Sequence, residues 1–201
     1  MIKANIAVLV SGGGTNLQAL IDAINSGIIK SGEIKLVISN NADAFALTRA
    51  KTNGIDTAVI TKNDCNMDQA VFESKIIQTL ENNHIDIIVL AGFMSILSEN
   101  FTKRYPKRII NVHPSLIPSF CGKGFYGLRV HEAALNYGVK VTGATVHFVN
   151  EIPDGGEIIM QKAVDILEND TPEALQKRVM QEAEWKILPL SVEKVCQELI
   201  K

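Results

Sequence analysis

Short apolar runs alternate with amphipathic stretches along residues 1–110 of the chain. The apolar runs predict buried β-strands, and their ranges are 5–10, 34–39, 57–60, 85–91 and 109–112. Between them, apolar residues recur at helical spacing, which predicts helices at 17–28, 44–52 and 69–82. Because the strands are apolar on both faces, this order predicts a parallel sheet that is covered by helices on both sides.

The pattern changes after Pro118. Residues 119–128 are rich in glycine and aromatic side chains, which favours a loop that closes over a ligand. A short helix is predicted at 130–137, and the strands predicted at 142–150 and 157–165 form a hairpin.

The last predicted helix begins after Thr171, its expected N-cap, with Pro172 in the first position, and it breaks near Pro189. The whole pattern predicts one α/β domain over residues 1–201, with a mostly parallel twisted sheet of about seven strands and helices on both faces. Its N-terminal half is expected to be Rossmann-like. We expect residues 1–110 to bind phosphate and residues 111–201 to carry the chemistry and close over the second ligand.

Composition narrows the class of protein. A hydrophobic content of 46% with 21% charged residues is ordinary for a soluble globular enzyme, and the net charge of −2 indicates neither nucleic acid nor an anionic membrane as a partner. The three cysteines have no CxxC spacing, which indicates a reducing compartment. No apolar run reaches the roughly 18 residues of a membrane span, and there is no signal-peptide pattern. We therefore expect a cytoplasmic protein.

Three polar side chains carry the most specific chemical signal. Asn111 and His113 lie on one face at the carboxyl end of a predicted strand, and Pro114 ends that strand. An amide beside an imidazole suits a carbonyl group that becomes an oxyanion, and a downstream carboxylate, Asp154, can hold the imidazole protonated at neutral pH. The alternative is a solvated histidine at a strand end and an Asp-Gly-Gly turn. The three groups together favour chemistry.

A glycine-rich segment, residues 11–17, follows the first predicted strand and opens the first helix. Glycines there let backbone N–H groups approach an anion at a helix N-terminus. Leu17 stands where the third glycine of GxGxxG would be, the GK[ST] of a Walker loop is missing, and Asn40 and Asn41 offer no acid for a ribose diol. The segment therefore favours a phosphate monoester over a dinucleotide, while a turn without a ligand stays an alternative.

Other candidate sites have weaker support in the sequence. A metal site built from Cys121, His113, His131 and His147 lacks any pair with ligand spacing, so no metal is expected. His147 alternates with apolar neighbours and is either a core histidine or a hydrogen-bonded neighbour of the site.

Five segments carry a resemblance to a known family. They are SGGGTNL at 11–17, AGFM at 91–94, NVHPSLIP at 111–118, GATVHFV at 143–149 and DGG at 154–156. In this order and spacing the chain resembles the phosphoribosylglycinamide formyltransferases, the folate-dependent GAR (glycinamide ribonucleotide) transformylases of purine synthesis. The HPSLIP part is shared with methionyl-tRNA formyltransferase and formyltetrahydrofolate deformylase. The SGGGTNL loop and the extent of the chain favour the GAR branch.

The resemblance implies an enzyme of formyltransferase type that transfers the formyl group of 10-formyltetrahydrofolate, its cosubstrate, to the amine of GAR without a metal. It implies a catalytic trio of Asn111, His113 and Asp154. The residues implied to bind the ribonucleotide are Gly13, Gly14, Thr15, Asn16, Gln181 and Glu184. Those implied to bind the folate are Met94, Ser95, Ile96, Leu97 and Asn111. A monomer or a homodimer is expected.

The chain departs from the family pattern on the folate side. Ser95 replaces an arginine that is frequent in the family, and no basic residue occurs near Gln69. The sequence therefore does not show which residues bind the glutamate tail of the folate. Candidates to replace the missing basic residues are Lys62, Lys123 and Arg129. The 119–128 loop also differs from the shorter, proline-containing loop of relatives.

Three rival functions remain at this point. They are a nicotinamide-dependent oxidoreductase on a Rossmann-like sheet, a non-catalytic domain that binds a phosphorylated ligand, and a formyl-folate hydrolase that releases formate without an acceptor.

Overall fold

A computed structural model describes residues 2–200. Within that range one seven-stranded sheet has the strand order β3-β2-β1-β4-β5-β6-β7. The strands are β1 Ala4–Val10, β2 Gly32–Ser39, β3 Asp56–Val59, β4 Ile87–Leu90, β5 Ile109–His113, β6 Val141–Phe148 and β7 Ile158–Asp165. The first five strands pair in parallel, and β6 and β7 are added antiparallel at one edge. The predicted mostly parallel α/β sheet is confirmed.

Seven α-helices flank the sheet within residues 2–200. They are α1 Thr15–Asn25, α2 Phe45–Thr52, α3 Gln69–Asn82, α4 Glu99–Arg104, α5 Leu128–Tyr137, α6 Pro172–Val179 and α7 Trp185–Leu199. A 3₁₀ turn spans Asn63–Cys65, and a π-helical turn, Met180–Glu184, joins α6 to α7. Across these residues no helix combines the length and apolar character that a membrane span requires.

Strand alternation divides the core between the two faces of the sheet. On β1, Ile6, Val8 and Val10 belong to the hydrophobic cluster that includes α1 and α7. Ala7 and Leu9 point the other way, into the cluster that includes α3 and α4. Because successive side chains of a strand face opposite sides, both faces need apolar residues when helices cover both. This is why residues 6–10 of β1 form an unbroken apolar run.

Two features of the helices differ from the pattern predicted from the sequence: the additional helix α4 and the position of a helix irregularity. The α4 helix has six residues, too few for a periodic signal, and the Ser98 side chain caps it by accepting from the Phe101 N–H. The predicted break near Pro189 is wrong, because α7 continues through this proline to Leu199. Proline removes one backbone hydrogen bond, but burial of Pro189 and of neighbours such as Leu188 and Val192 stabilises the helix. The irregular turn lies earlier, at Met180–Glu184.

The antiparallel edge depends on a glycine. A Cβ added to Gly143 on β6 would lie 2.1 Å from the Lys162 carbonyl oxygen, 2.9 Å from Leu116 Cδ2 and 3.0 Å from Ala163 Cα. Gly143 pairs with Ala163 in the β6–β7 ladder. A side chain at this position therefore meets backbone atoms that the ladder holds in place.

We expect Gly143→Ala to lower the free energy of unfolding by about 1–3 kcal/mol, since the added methyl group overpacks the β6–β7 ladder. Urea unfolding followed by circular dichroism measures this change. Gly12→Ala is the matched control, because no heavy atom lies within 4 Å of its added Cβ. Equal stability of the Gly143→Ala variant and the wild type would contradict the argument.

Candidate active site

The carboxyl ends of β1, β4 and β5 open into a cavity of about 770 Å³. Ligands of open α/β sheets bind in this position, beyond the carboxyl ends of the strands. The cavity wall brings together nine of the predicted site residues, which come from the beginning, middle and end of the chain. They are Thr15, Asn16, Met94, Ser95, Ile96, Asn111, His113, Asp154 and Glu184.

Some of the named residues lie outside this wall. Leu97 lines a neighbouring cavity of about 500 Å³. Gln181 is exposed, and Gln176 and Met180 line the main cavity instead. Another groove, of about 610 Å³, lies between α1 and α7 and shares only Thr15 with the main cavity. The polar side chains that could take part in a reaction therefore lie mainly in the 770 Å³ cavity, which is called the central cavity below.

Asn111 is oriented from the neighbouring strand. It lies opposite His147 in the β5–β6 ladder, and its Nδ2 is 3.2 Å from His147 Nε2. The other ring nitrogen, Nδ1, donates to the Phe148 carbonyl over 2.8 Å. In a neutral ring Nε2 therefore accepts from Asn111. This answers the question that the sequence left open: His147 is a buried, hydrogen-bonded neighbour that sets the amide orientation.

His113 and Asp154 form the charged centre of the central cavity. His113 Nδ1 lies 3.5 Å from Asp154 Oδ2, and His113 Nε2 donates to the Phe120 carbonyl over 2.8 Å. Asp154 Oδ2 also accepts from the Gly122 N–H at 2.8 Å, and Asp154 Oδ1 lies 3.7 Å from His147 Nε2. The loop around Phe120 and Gly122 thus contacts both members of the pair.

Burial decides the charge of His113. Loss of hydration lowers the pKa of this imidazole more than the Asp154 charge and the Phe120 carbonyl raise it, so the pKa lies below its usual value. The expectation that Asp154 keeps His113 protonated at neutral pH is therefore wrong for this arrangement. A second proton on the ring would occupy Nδ1, which faces the carboxylate.

Asp154 keeps its negative charge. Burial raises the pKa of this carboxyl, but the nearby imidazoles of His147 and His113 and the Gly122 N–H together lower it below its usual value. The Asp154 backbone has φ 56°, a left-handed conformation that Asp tolerates better than most residues. The turn is closed by the Gly155 N–H, which donates to the Ile152 carbonyl over 2.9 Å.

The glycine-rich loop lies at the other end of the central cavity. Gly14 has φ 71°, and a Cβ there would lie 2.6 Å from Ala46 Cβ and 2.8 Å from Ala46 Cα. The α1 helix begins immediately afterwards without a side-chain cap. Its first backbone N–H groups are therefore free to bind an anion. The Arg49 Nε donates to the Gly13 carbonyl over 2.8 Å, a contact that no sequence pattern indicated.

Glu184 joins this loop to the C-terminal helices. It lies on the π-helical turn with 6% of its surface exposed, and its Oε2 accepts from Asn16 Nδ2 at 2.7 Å. Burial raises the pKa of Glu184 to about 7, against the lowering effect of Asn16. A carboxyl group with this pKa can either donate or accept a hydrogen bond near neutral pH.

The Met94–Ser95–Ile96 segment forms the third side of the site. Met94 and Ile96 are exposed apolar residues, at 56% and 70%. The Met94 N–H donates to Ser11 Oγ over 2.8 Å, which ties the segment to the glycine-rich loop. The neighbouring 500 Å³ cavity continues from here and includes Lys62 and Gln69. The arrangement suits a flat, partly apolar ligand.

Among residues 2–200 no group of three or more His, Cys, Asp or Glu side chains is arranged to hold a metal ion. Cys121 Sγ instead donates to the Pro118 carbonyl at 3.3 Å, and His131 is buried on α5.

Comparison with known proteins gives a consistent family. A family model described as formyl transferase matches residues 4–192. A phosphoribosylglycinamide formyltransferase from Haemophilus influenzae is 44% identical over 191 residues, which cover 93% of this chain and 84% of that protein. The human trifunctional purine biosynthetic protein adenosine-3 is 44% identical, and the chain spans only 19% of its length.

A solved structure gives the same relationship. The crystal structure of glycinamide ribonucleotide transformylase 1 from Symbiobacterium toebii superposes with a TM-score of 0.90 at 38% identity. The match covers 98% of this chain and 89% of that one.

The raised pKa of Glu184 predicts a pH-dependent stability. The folded state holds a proton on Glu184 up to its raised pKa of about 7, whereas the unfolded state releases it near the usual glutamate pKa of 4.5. Stability is therefore lost as the pH rises through this window. We expect Glu184→Gln to match the wild type at pH 4.5 and to be more stable by up to about 3 kcal/mol at pH 8.

Urea unfolding at both pH values measures this difference. Glu182→Gln is the control, since Glu182 is exposed on the same π-helical turn. A stability difference between Glu184→Gln and wild type that does not grow with pH would contradict a carboxyl group titrating near neutrality.

Proposed function

Since this chain belongs to the formyl transferase family, we propose that it is a phosphoribosylglycinamide formyltransferase. It transfers the formyl group of 10-formyltetrahydrofolate to the amine of GAR, which gives formylglycinamide ribonucleotide and tetrahydrofolate in purine biosynthesis. The observation that carries this proposal is one cavity with an uncapped helix N-terminus at one end and Asn111, His113 and Asp154 at the other. Such a cavity can hold a phosphate and an acyl-transfer centre at the same time.

The reaction begins when the amine of GAR attacks the formyl carbon of the folate. The formyl oxygen becomes an oxyanion, and it needs hydrogen-bond donors that are already in position. Asn111 Nδ2 has a second N–H besides the one directed at His147, and His113 donates through Nε2. The formyl oxygen takes the place of the Phe120 carbonyl as the acceptor for His113.

The tetrahedral intermediate collapses as the bond from carbon to the folate N10 breaks. The attacking amine loses a proton and N10 gains one, so the proton balance closes without a covalent enzyme intermediate. Asp154 is ionised and can carry this proton, through a bridging water if needed. Its charge also favours protonation of His113 Nδ1 as negative charge develops on the formyl oxygen.

The ribonucleotide is held at the glycine-rich loop. Gly13, Gly14, Thr15 and Asn16 offer backbone and side-chain donors to the phosphate at the start of α1. Glu184, held by Asn16, binds the ribose hydroxyls, whereas the exposed Gln181 reaches the phosphate only from the rim of the cavity. Binding energy from the phosphate thus orients the distant amine.

The folate lies along Met94, Ser95, Ile96 and Leu97, and it reaches Asn111 with its formyl group. Of the three basic residues considered for the glutamate tail, Lys62 lines the same 500 Å³ cavity as Ser95 and Leu97. Lys123 lines the central cavity instead. This position favours Lys62 as the partner of the tail carboxylates.

We further propose that residues 1–201 act as one cytoplasmic domain, as a monomer or a homodimer. The phosphate-binding half is 1–110 and the catalytic and folate-closing half is 111–201. The scattered cysteines, none of which is in a disulfide among residues 2–200, support a reducing compartment.

A tetrahydrofolate assay, together with a test of NAD(P)H binding, separates the proposal from its rivals. Tetrahydrofolate formation from 10-formyltetrahydrofolate is followed with and without GAR. A formyltransferase releases tetrahydrofolate only with GAR, whereas a hydrolase releases it without an acceptor. A phosphate-binding domain without catalysis gives no product in either case, and a nicotinamide enzyme would bind NAD(P)H.

We expect Asp154→Asn to lower kcat by about 100-fold or more, because the variant loses both the proton carrier and the charge that favours protonation of His113. The KM for GAR should stay close to wild type, since Asp154 lies away from the phosphate loop. Steady-state kinetics gives both constants. Glu151→Gln, at an exposed acid near the same turn, is the control and should be silent. A near-wild-type kcat for Asp154→Asn would remove Asp154 from the mechanism.

Lys62→Met should raise the KM for polyglutamylated 10-formyltetrahydrofolate about fivefold, because the variant loses one partly exposed ion pair with the tail. The KM for the monoglutamate form should change less, and the KM for GAR not at all. Lys123→Met is the matched variant on the other side of the site. An effect of Lys123→Met alone would assign the tail to the central cavity and refute the Lys62 assignment.

A further inference from the structure

His131 is a buried residue that the mechanism above does not use. It lies on α5, none of its surface is exposed, and it lines the central cavity together with His113, Met180 and Glu184. Both of its ring nitrogens are buried, and neither has a hydrogen-bond partner within residues 2–200. The cavity wall therefore contains an imidazole whose ring nitrogens have no hydrogen-bond partner in the described part of the protein.

This arrangement is costly for the fold. A buried polar group without a partner costs about 1–3 kcal/mol, and an apolar side chain of similar shape would avoid that cost. His113 and His147 contrast with His131, since each has a ring nitrogen within 2.8 Å of a backbone carbonyl. A histidine that served packing alone would gain nothing from its two nitrogens. Its place on the cavity wall indicates a ligand as the partner.

The charge state of His131 indicates which kind of ligand group it can bind. Burial and the nearby charge of His113 lower the pKa of His131 to about 4. The ring is therefore neutral at neutral pH, with one N–H donor and one acceptor nitrogen. A neutral ring suits an uncharged polar group such as an amide, whereas a phosphate is better bound by cations and helix N-termini.

The position of His131 in the cavity indicates which part of the ligand it contacts. Thr15 and Asn16 mark the phosphate end of the central cavity, and Asn111 and His113 mark the reacting end. His131 lines the same cavity as both of these sets of residues, together with Met180 and Glu184. In GAR, the amide bond joins the ribose to the aminomethyl group, so it lies between these two ends.

We propose that His131 binds the glycinamide amide of the ribonucleotide, donating its N–H to the amide oxygen and so fixing the direction of the attacking amine. This assignment rests on the proposed function, because it takes GAR as the substrate. It makes His131 a specificity-determining residue that distinguishes GAR from ligands that carry only ribose and phosphate.

The test compares GAR with ribose 5-phosphate, which carries the phosphate and the sugar but no amide. In wild type, GAR should bind at least tenfold more tightly. His131→Leu should reduce this ratio to near one by weakening GAR alone, with the KM for 10-formyltetrahydrofolate unchanged. The same variant should be as stable as wild type or more stable, because it removes unpaired polar atoms from the interior.

Thr142→Val is the matched control. Thr142 is 3% exposed and its hydroxyl also has no partner within residues 2–200, but it does not line the central cavity. Thr142→Val should keep the wild-type affinity ratio. A wild-type ratio in His131→Leu would overturn the proposal, and so would an equal loss for both ligands, which points to packing.

A measurement on the wild-type protein tests the proposal even if the His131→Leu variant fails to fold. In protein labelled with ¹⁵N-histidine, the His131 ring resonances should shift when GAR is added and not when ribose 5-phosphate is added. Unchanged His131 resonances at saturating GAR would overturn the proposal. If the wild type neither binds GAR nor forms tetrahydrofolate with it, the proposed function itself fails, which is a different result from a silent His131.

Discussion

The register between β5 and β6 is the constraint on which the candidate site depends. It places Asn111 opposite His147 and His113 opposite Thr145. Because side chains alternate between the faces of a sheet, a shift by one residue would turn both Asn111 and His113 away from the cavity. The glycine Gly156 follows Asp154 in the turn, and a Cβ there would lie 1.7 Å from the Phe148 carbonyl oxygen. The turn that delivers Asp154 can therefore press closely against the end of β6.

Loss of hydration and nearby polar groups oppose each other at Asp154 and at His113. Asp154 stays ionised because two histidines and a backbone N–H compensate its loss of hydration. The pKa of His113 falls below its usual value, since one carboxylate and one carbonyl do not compensate the same loss. In the proposed mechanism, the ionised Asp154 favours protonation of His113 as negative charge develops on the formyl oxygen, which stabilises the transition state more than the resting state.

The two ends of the cavity come from distant parts of the chain and are held together by a few polar contacts. Asn16 and Glu184 are 168 residues apart and join the glycine-rich loop to the π-helical turn. Ser11 joins the same loop to Met94, and Arg49 holds the Gly13 carbonyl. These contacts fix the position of the start of α1 relative to the C-terminal helices and to the Met94 segment. The third side of the site is less constrained, since Met94 and Ile96 are exposed, and Lys62 lines the cavity beside them together with Gln69 and Ser95.

The sequence by itself determined the order of strands and helices, since apolar periodicity is a local property that survives without tertiary contacts. It also determined the candidate trio, because Asn111 and His113 are two residues apart on one strand and the Asp-Gly-Gly turn has a distinctive composition. It missed α4, which is too short to show a period, and it misplaced a helix break at Pro189, where burial stabilises the helix despite the lost hydrogen bond. Only the tertiary structure decided the charge of His113, the orientation of Asn111 by His147, and the unpaired state of His131. Each of these depends on desolvation or on a partner from another element, and neither quantity can be read from the order of residues along the chain.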